Sequence, residues 1–173
     1  IGVIEPGIHC AVAVTKNNGI CVLGTNATIK SDAYGDGLRL ANNQISVVSQ
    51  ACPLFVPLVE EGWVSGSVPT AIATTYLEPI KRSNVDTLIL GCTHYPLLKS
   101  IIVKILGSDI SLIDSGQATA TVVNSVLKKN NIVSNENTGD IHCYVTDSSN
   151  FFEALVGRFV NANISKITHV DIS

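Results

Sequence analysis

The amino-acid sequence predicts an α/β fold with a mainly parallel sheet flanked by helices. Short apolar runs that suit buried strands alternate with longer segments of helical spacing, which implies right-handed crossovers between parallel strands. Two of these runs end alike, at Leu23-Gly24-Thr25 and at Leu90-Gly91-Cys92. The composition agrees, because 46% of the 173 residues are hydrophobic and 14% are charged, as expected where a sheet is buried on both faces.

Each predicted element rests on periodicity and on its bounding turn residues. The predicted strands cover residues 1–4, 20–23, 44–49, 85–90, 110–113, 141–146 and 164–170. The predicted helices cover residues 8–15, 26–40, 70–81, 95–106, 117–130 and 151–160, with residues 147–149 as a cap. Proline and glycine predict loops at residues 53–57 and 65–69, and the Asn-rich residues 130–139 predict a connector.

Composition and charge argue against several classes of function. A net charge of −3 without a basic cluster disfavours nucleic acid as a partner. No apolar run approaches the roughly 18–20 residues of a membrane span. The five scattered cysteines predict neither a disulfide framework nor a zinc site, so a reducing cytoplasm is the expected location and no metal is expected. The sequence has no methionine and opens inside a predicted strand, so we expect further residues upstream.

Residues 84–98 organise the candidate site, because Cys92, Thr93 and His94 directly follow a strand and its glycine. In open α/β sheets, ligands bind beyond the carboxyl ends of the strands. Pro96 suits the start of a helix, whose positive end would lower the pKa of Cys92. His94 can reach the same pocket as a proton donor or acceptor. The alternative is that Cys92 is buried as a small core residue, but the coincidence of glycine, helix start and histidine favours a functional role for it.

Other polar positions have both a structural and a functional interpretation. Thr25 and Thr28 lie at a predicted helix start, where they either cap the helix or help to bind an anion. Glu60 and Glu61 end an apolar stretch, and from the residues alone a solvated surface role is favoured for both. Asp114-Ser115 is expected to be a structural helix cap.

Five segments resemble, in order and at similar intervals, the glutamate racemase family, cofactor-independent enzymes that supply D-glutamate for peptidoglycan. They are residues 91–98 (GCTHYPLL), 1–7 (IGVIEPG), 24–29 (GTNATI), 52–61 (CPLFVPLVEE) and 112–116 (LIDSG). The first is similar to the motif around the second catalytic cysteine of that family. The family's upstream Asp-Ser-Gly and Cys-Asn-Thr-Ala motifs have no counterpart before Cys92. The resemblance therefore implies that the sequence is the C-terminal two-thirds of such an enzyme and lacks its first catalytic cysteine.

The same resemblance implies an architecture for the intact enzyme. Two similar α/β domains would face one cleft, with residues 1–116 as the second domain. Residues 117–173 would return to complete the first domain. A homodimer is expected, with glutamate as the small-molecule substrate and with no cofactor.

The resemblance also implies roles for individual residues. Cys92 would remove or return the Cα proton on one face of the substrate, and His94 would set the protonation of Cys92 or of the substrate. Glu60, with Glu61 as the alternative, would orient His94. Thr93, Thr25 and Thr28 would hold polar groups of the substrate.

Three rival interpretations stay open from the sequence. Aspartate racemases resemble this architecture but usually carry an acidic residue at the position of His94, which favours glutamate here. Cys92 and His94 could also serve as nucleophile and base in a hydrolase or acyl transferase. The third possibility is that these 173 residues alone form a non-catalytic module, and we expect them to be inactive by themselves.

Overall fold

The computed structural model describes residues 1–134, 139–146, 149–160 and 164–172, which divide into two compact units. The first unit is Ile1–Asn131 and the second is Ile132–Ser173. Both are built from parallel strands with helices between them, so the predicted mainly parallel α/β fold is confirmed. The domain boundary at residue 116, which concerns the intact enzyme, stays a prediction.

The first unit contains a four-stranded parallel sheet in the order β2-β1-β3-β4. Its strands are β1 (Gly19–Gly24), β2 (Ser46–Ala51), β3 (Thr87–Leu90) and β4 (Ser111–Asp114). Its helices are α1 (Ile4–Val14), α2 (Asn26–Ser31), α3 (Ala33–Ala41), α4 (Phe55–Glu60), α5 (Ser67–Lys81), a 3-10 helix (Tyr95–Leu98), α6 (Lys99–Leu106) and α7 (Ser115–Lys129). Leu23 of β1 pairs with Leu90 of β3, which in turn pairs with Asp114 of β4.

Both faces of this sheet are buried, because successive residues of β1 and β3 point to opposite sides and nearly all are apolar. On one face, Leu23 and Leu90 pack with residues of α4, α5 and α6. On the other face, Val22 and Ile89 pack with residues of α1 and α3. The two layers fix the strand ends from both sides, and the candidate site lies at those ends.

Asp86 fastens the amino-terminal end of β3 to the loop after α1. Its carboxylate accepts hydrogen bonds from Thr15 Oγ1 at 2.7 Å, Lys16 N at 2.7 Å, Asn17 N at 2.9 Å and Thr87 Oγ1 at 2.8 Å. Burial alone would raise the pKa of Asp86, but these donors outweigh it and lower the pKa below its usual value. This cluster lies at the opposite end of the sheet from Cys92.

Five sequence predictions need correction, and one of them is the loop at residues 65–69, because α5 already begins at Ser67. Residues 1–4 are not a strand, because α1 already begins at Ile4 and takes Pro6 into its first turn. Residues 53–57 are not all loop, because α4 begins at Phe55. The helix predicted for residues 26–40 is two helices, divided at Asp32, whose φ of 50° is left-handed. The helix predicted for residues 95–106 begins as a 3-10 helix and becomes α-helical at Lys99.

The second unit is a strand–helix–strand arrangement. It comprises β5 (Ile141–Val145), α8 (Ser149–Phe159) and β6 (Ile164–His169), with the two strands parallel. The predicted strands at residues 141–146 and 164–170 and the predicted helix at residues 151–160 are therefore confirmed to within two residues. Residues 147 and 148 of the predicted cap and the middle of the predicted connector lie outside the described residues, and Ser149 is the first residue of α8.

Candidate active site

The site is formed where the sheet changes the direction of its connections. The chain leaves β1 towards β2 on one side and later returns to place β3 on the other side of β1. Loops that follow β1 and β3 therefore diverge and leave a crevice between them. Thr25 follows β1, and Cys92 follows β3, so this crevice lies between the two sequence-predicted segments.

Gly91 connects β3 to the site loop, and we call this connection the hinge. Its N–H donates a hydrogen bond to the carbonyl oxygen of Leu23 at 2.8 Å. A Cβ on Gly91 would lie 2.9 Å from that same oxygen and 3.1 Å from Cε2 of Tyr34. These distances are shorter than ordinary contacts, so the close approach of the two strands requires glycine here.

Cys92, Thr93, His94 and Glu60 lie close together in the structure. Cys92 Sγ lies 3.9 Å from His94 Nδ1, and Thr93 Oγ1 lies 3.2 Å from the same nitrogen. On the other side of the ring, His94 Nε2 lies 3.4 Å from Oε1 of Glu60, the last residue of α4. Glu61, the alternative carboxylate, is exposed.

The position of Glu60 fixes the most favourable tautomer of His94. A carboxylate beside Nε2 favours the form that carries its proton there, which leaves Nδ1 as an acceptor. The His94 side chain is only 19% exposed and that of Glu60 is 35% exposed, so water screens this interaction less than on an open surface. The imidazole is thereby oriented to accept a proton from the Cys92 thiol.

The thiol of Cys92 is half-buried, and its pKa is raised above the usual value. Burial is the largest cause, and the negative charge of Glu60 acts in the same direction. The backbone N–H groups of His94 and Tyr95 and the Thr93 hydroxyl act oppositely. The sequence predicted a lowered pKa from the helix start. The N–H groups do favour the thiolate, but burial outweighs them.

Thr25 and Thr28 belong to the neighbouring strand end. Thr25 caps α2, since its Oγ1 accepts a hydrogen bond from Thr28 N at 3.2 Å, and the two hydroxyl oxygens lie 3.0 Å apart. Thr28 Cγ2 would lie 3.6 Å from a Cβ on Gly91, which places this threonine beside the hinge. The capping interpretation of Thr25 is therefore correct, and a role in substrate binding stays a prediction.

Asp114 is the predicted cap of α7. Its carboxylate accepts hydrogen bonds from Gly116 N at 3.0 Å and Gln117 N at 3.2 Å, and Lys99 Nζ donates another at 2.9 Å. Burial opposes ionisation, but these partners lower the pKa of Asp114. The next residue, Ser115, is buried, and its hydroxyl oxygen lies 2.9 Å from that of Tyr34.

A cavity of about 240 Å³ adjoins the cysteine. Cys92 and Thr93 line it together with Pro96, Tyr34 and Ser115. Tyr34 and Ser115 are not among the residues predicted for the site, because an aromatic residue inside a helix and a serine at a helix start are common structural features. A larger groove of about 580 Å³ lies between α1 and α3 and shares only Val3 with this cavity.

Three further observations concern metal ligands, membrane spans and disulfide bonds. Within the described parts of the chain, no three His, Cys, Asp or Glu side chains are grouped so that they could hold a metal ion. The helices of those same parts are all too short or too polar to cross a membrane. Cys10, Cys21, Cys52, Cys92 and Cys143 are free thiols.

The fold and the site define a class: an α/β protein with a cysteine–histidine–carboxylate row at a strand-end crevice. The chain belongs to the Asp/Glu/Hydantoin racemase family, whose sequence profile matches residues 1–123. It is 40% identical over 173 residues to a glutamate racemase of Geobacter metallireducens, covering 99% of this chain and 64% of that relative. The chain thus spans somewhat less than two-thirds of the length of that relative.

Solved structures agree with this assignment. A glutamate racemase isoform of Bacillus anthracis superposes with a TM-score of 0.92 at 36% identity, covering 99% of this chain and 64% of that one. A glutamate racemase of Francisella tularensis in complex with D-glutamate gives a TM-score of 0.89 at 34% identity, covering 98% and 62%.

Proposed function

We propose that the protein containing this chain interconverts L-glutamate and D-glutamate without a cofactor. The observation that carries the proposal is the row formed by Cys92, His94 and Glu60 at the carboxyl end of β3. The names of its relatives, and the D-glutamate bound in the Francisella tularensis structure, support glutamate as the substrate class. His94, where aspartate racemases usually carry an acidic residue, favours glutamate over aspartate.

The reaction requires removal of a weakly acidic Cα proton from one face and return of a proton on the other. In the first step, the Cys92 Sγ–H bond breaks and the proton passes to Nδ1 of His94, which Glu60 holds as the acceptor. The thiolate then takes the Cα proton, re-forming Sγ–H and leaving a carbanion. A second acid on the opposite face donates a proton to Cα.

Two opposed groups invert Cα more effectively than one, because a single base tends to return the proton to the face it left. By family resemblance, the second group is another cysteine. Cys21 and Cys52 are fully buried, and none of the four other cysteines lies in the family's first motif. We therefore propose that a cysteine outside these 173 residues acts on the opposite face of the substrate Cα.

The hydroxyl groups of Thr25, Thr28 and Thr93 are proposed to bind polar groups of the substrate. Thr28 lies beside Gly91, the Thr25 hydroxyl lies 3.0 Å from the Thr28 hydroxyl, and Thr93 lies within the Cys92 loop. In the intact enzyme, residues 1–116 would form one domain beside the cleft and residues 117–173 would return to the other. We propose a cytoplasmic homodimer that supplies D-glutamate for peptidoglycan.

Deuterium exchange tests the role of Cys92. The full-length protein is incubated with D-glutamate or L-glutamate in heavy water, and deuterium at Cα is measured by mass spectrometry. Cys92→Ala is expected to reduce inversion by at least about a hundredfold, since acid–base groups contribute roughly that much or more. Cys10→Ala, which removes another half-buried thiol on α1, is the matched control. Inversion that survives in Cys92→Ala at the control rate would refute the proposal.

A further inference from the structure

The loop that carries Cys92 rests on a buried pair of hydroxyl groups contributed by two helices. Tyr34 lies on α3 and is 4% exposed, and Ser115 is the first residue of α7 and is 7% exposed. Their hydroxyl oxygens are 2.9 Å apart. Both side chains also line the 240 Å³ cavity that Cys92 lines.

A contact between Ser115 and the backbone of Leu90 extends this pair towards the Cys92 loop. Ser115 Oγ donates to the carbonyl oxygen of Leu90 at 3.5 Å, a long hydrogen bond. Each of the two hydroxyls can donate to the other, and both contacts of Ser115 are satisfied when Tyr34 donates to Ser115. The resulting chain runs from Tyr34 through Ser115 to Leu90, the residue before the Gly91 hinge.

The ring of Tyr34 supports the same hinge directly. Its Cε2 would lie 3.1 Å from a Cβ on Gly91, so the ring edge closes the space below the hinge. Burial raises the pKa of Tyr34, the Ser115 hydrogen bond opposes that, and a charge on Cys92 raises the pKa further. The last effect agrees with the proximity of the phenol and the thiol.

We propose that Tyr34 and Ser115 are positioning residues for Cys92, which hold the Leu90–Gly91 backbone so that the thiol stays half-buried beside His94. This inference rests on the proposed function, because positioning matters only if Cys92 takes part in the reaction. Neither residue touches the reacting atoms in this arrangement. They act through the hinge, on how deeply the thiol is buried.

The test compares thiol reactivity in the full-length protein and in three variants. Tyr34→Phe removes the phenol hydroxyl and keeps the ring, and Ser115→Ala removes the middle of the chain. Thr15→Val, the matched control, removes a hydroxyl that donates to Asp86 at the far end of the sheet. Alkylation of each cysteine by iodoacetamide is followed by peptide mass spectrometry from about pH 6 to about pH 10, which spans the ordinary thiol pKa.

A loosened hinge would expose the thiol and reduce the burial that raises its pKa. Cys92 is therefore expected to react at least about threefold faster in Tyr34→Phe and Ser115→Ala, with its pH midpoint shifted downward, and to be unchanged in Thr15→Val. Buried Cys52 should stay protected in all three variants.

Two results would overturn the inference. One is a Cys92 rate and midpoint equal to those of Thr15→Val in both test variants. The other is equal acceleration at Cys52, which would indicate general loosening of the fold. Alkylation needs no turnover, so these results are distinct from failure of the proposed function, which would appear as inversion surviving Cys92→Ala.

Discussion

Replacing Gly91 by alanine should damage both the sheet and the site. The added Cβ would lie 2.9 Å from the carbonyl oxygen of Leu23, whereas ordinary contacts begin near about 3.4 Å, so backbone must move by roughly 0.5 Å. The same strand accepts the Gly91 N–H, and Tyr34 blocks the other side. Overpacking of this kind costs about 1–3 kcal/mol.

Urea unfolding and thermal melting measure this cost. For a unit of this size, each kcal/mol corresponds to roughly 3–5 °C in melting temperature. Gly2→Ala is the matched control, because a Cβ on Gly2 meets no atom within 4 Å. The reasoning would be refuted if Gly91→Ala were as stable as Gly2→Ala, or if it kept the full racemisation rate of the intact protein.

Two further predictions concern charged groups. Asp86 has a lowered pKa in the folded state, so its stabilisation is present above the unfolded value of about 3.9 and is lost as the pH falls through the folded value. Asp86→Asn should therefore lower the free energy of unfolding by about 1–2 kcal/mol near neutral pH. The variant should also lose less stability than the parent protein as the pH is lowered into the acid range. An equal loss of stability in acid would contradict this account. Glu60→Gln should reduce kcat/KM for racemisation about tenfold with less than about 1 kcal/mol of destabilisation, because the amide no longer favours the Nε2 proton of His94. Glu61→Gln, one exposed residue further on, should have little effect, and equal losses in the two variants would argue against the tautomer assignment.

The strands were predictable from the sequence where burial is complete. β1 and β3 are fully buried and mostly apolar, a glycine ends β1 and another directly follows β3, and the structure places both strands in the middle of the parallel sheet. Two of the errors share one physical cause. Pro6 and Pro57 were taken to end or exclude a helix, but each lies in the first turn of one, where no helical partner for its nitrogen is needed.

Asp32 shows a different limit. Helical spacing of apolar residues continues across it, so periodicity gives no sign of the break between α2 and α3. A left-handed aspartate is tolerated because its short polar side chain interacts locally, and the carboxylate of Asp32 pairs with Arg39. The Asp32–Arg39 pair joins residues seven positions apart, and a pattern of apolar spacing does not describe such a contact.

At the site, sequence reasoning reached the proximity of residues that share a motif, and their roles stay a prediction. Cys92, Thr93 and His94 adjoin in the chain, so their proximity follows from a single loop. The pKa of Cys92 was not predictable in the same way, because it depends on how deeply the thiol is buried. Tyr34 was missed since its relation to Cys92 arises only from the packing of α3 below the hinge.

The pairing of β1 with β3 also has a consequence for how the chain folds. Leu23 and Leu90 are register partners on adjacent parallel strands and stand far apart in the sequence, so a long loop must close before the crevice exists. Until then, the Cys92 thiol is open to solvent and to oxidants. Refolding yields should therefore depend on added reductant even though the native state contains only free thiols among its cysteines.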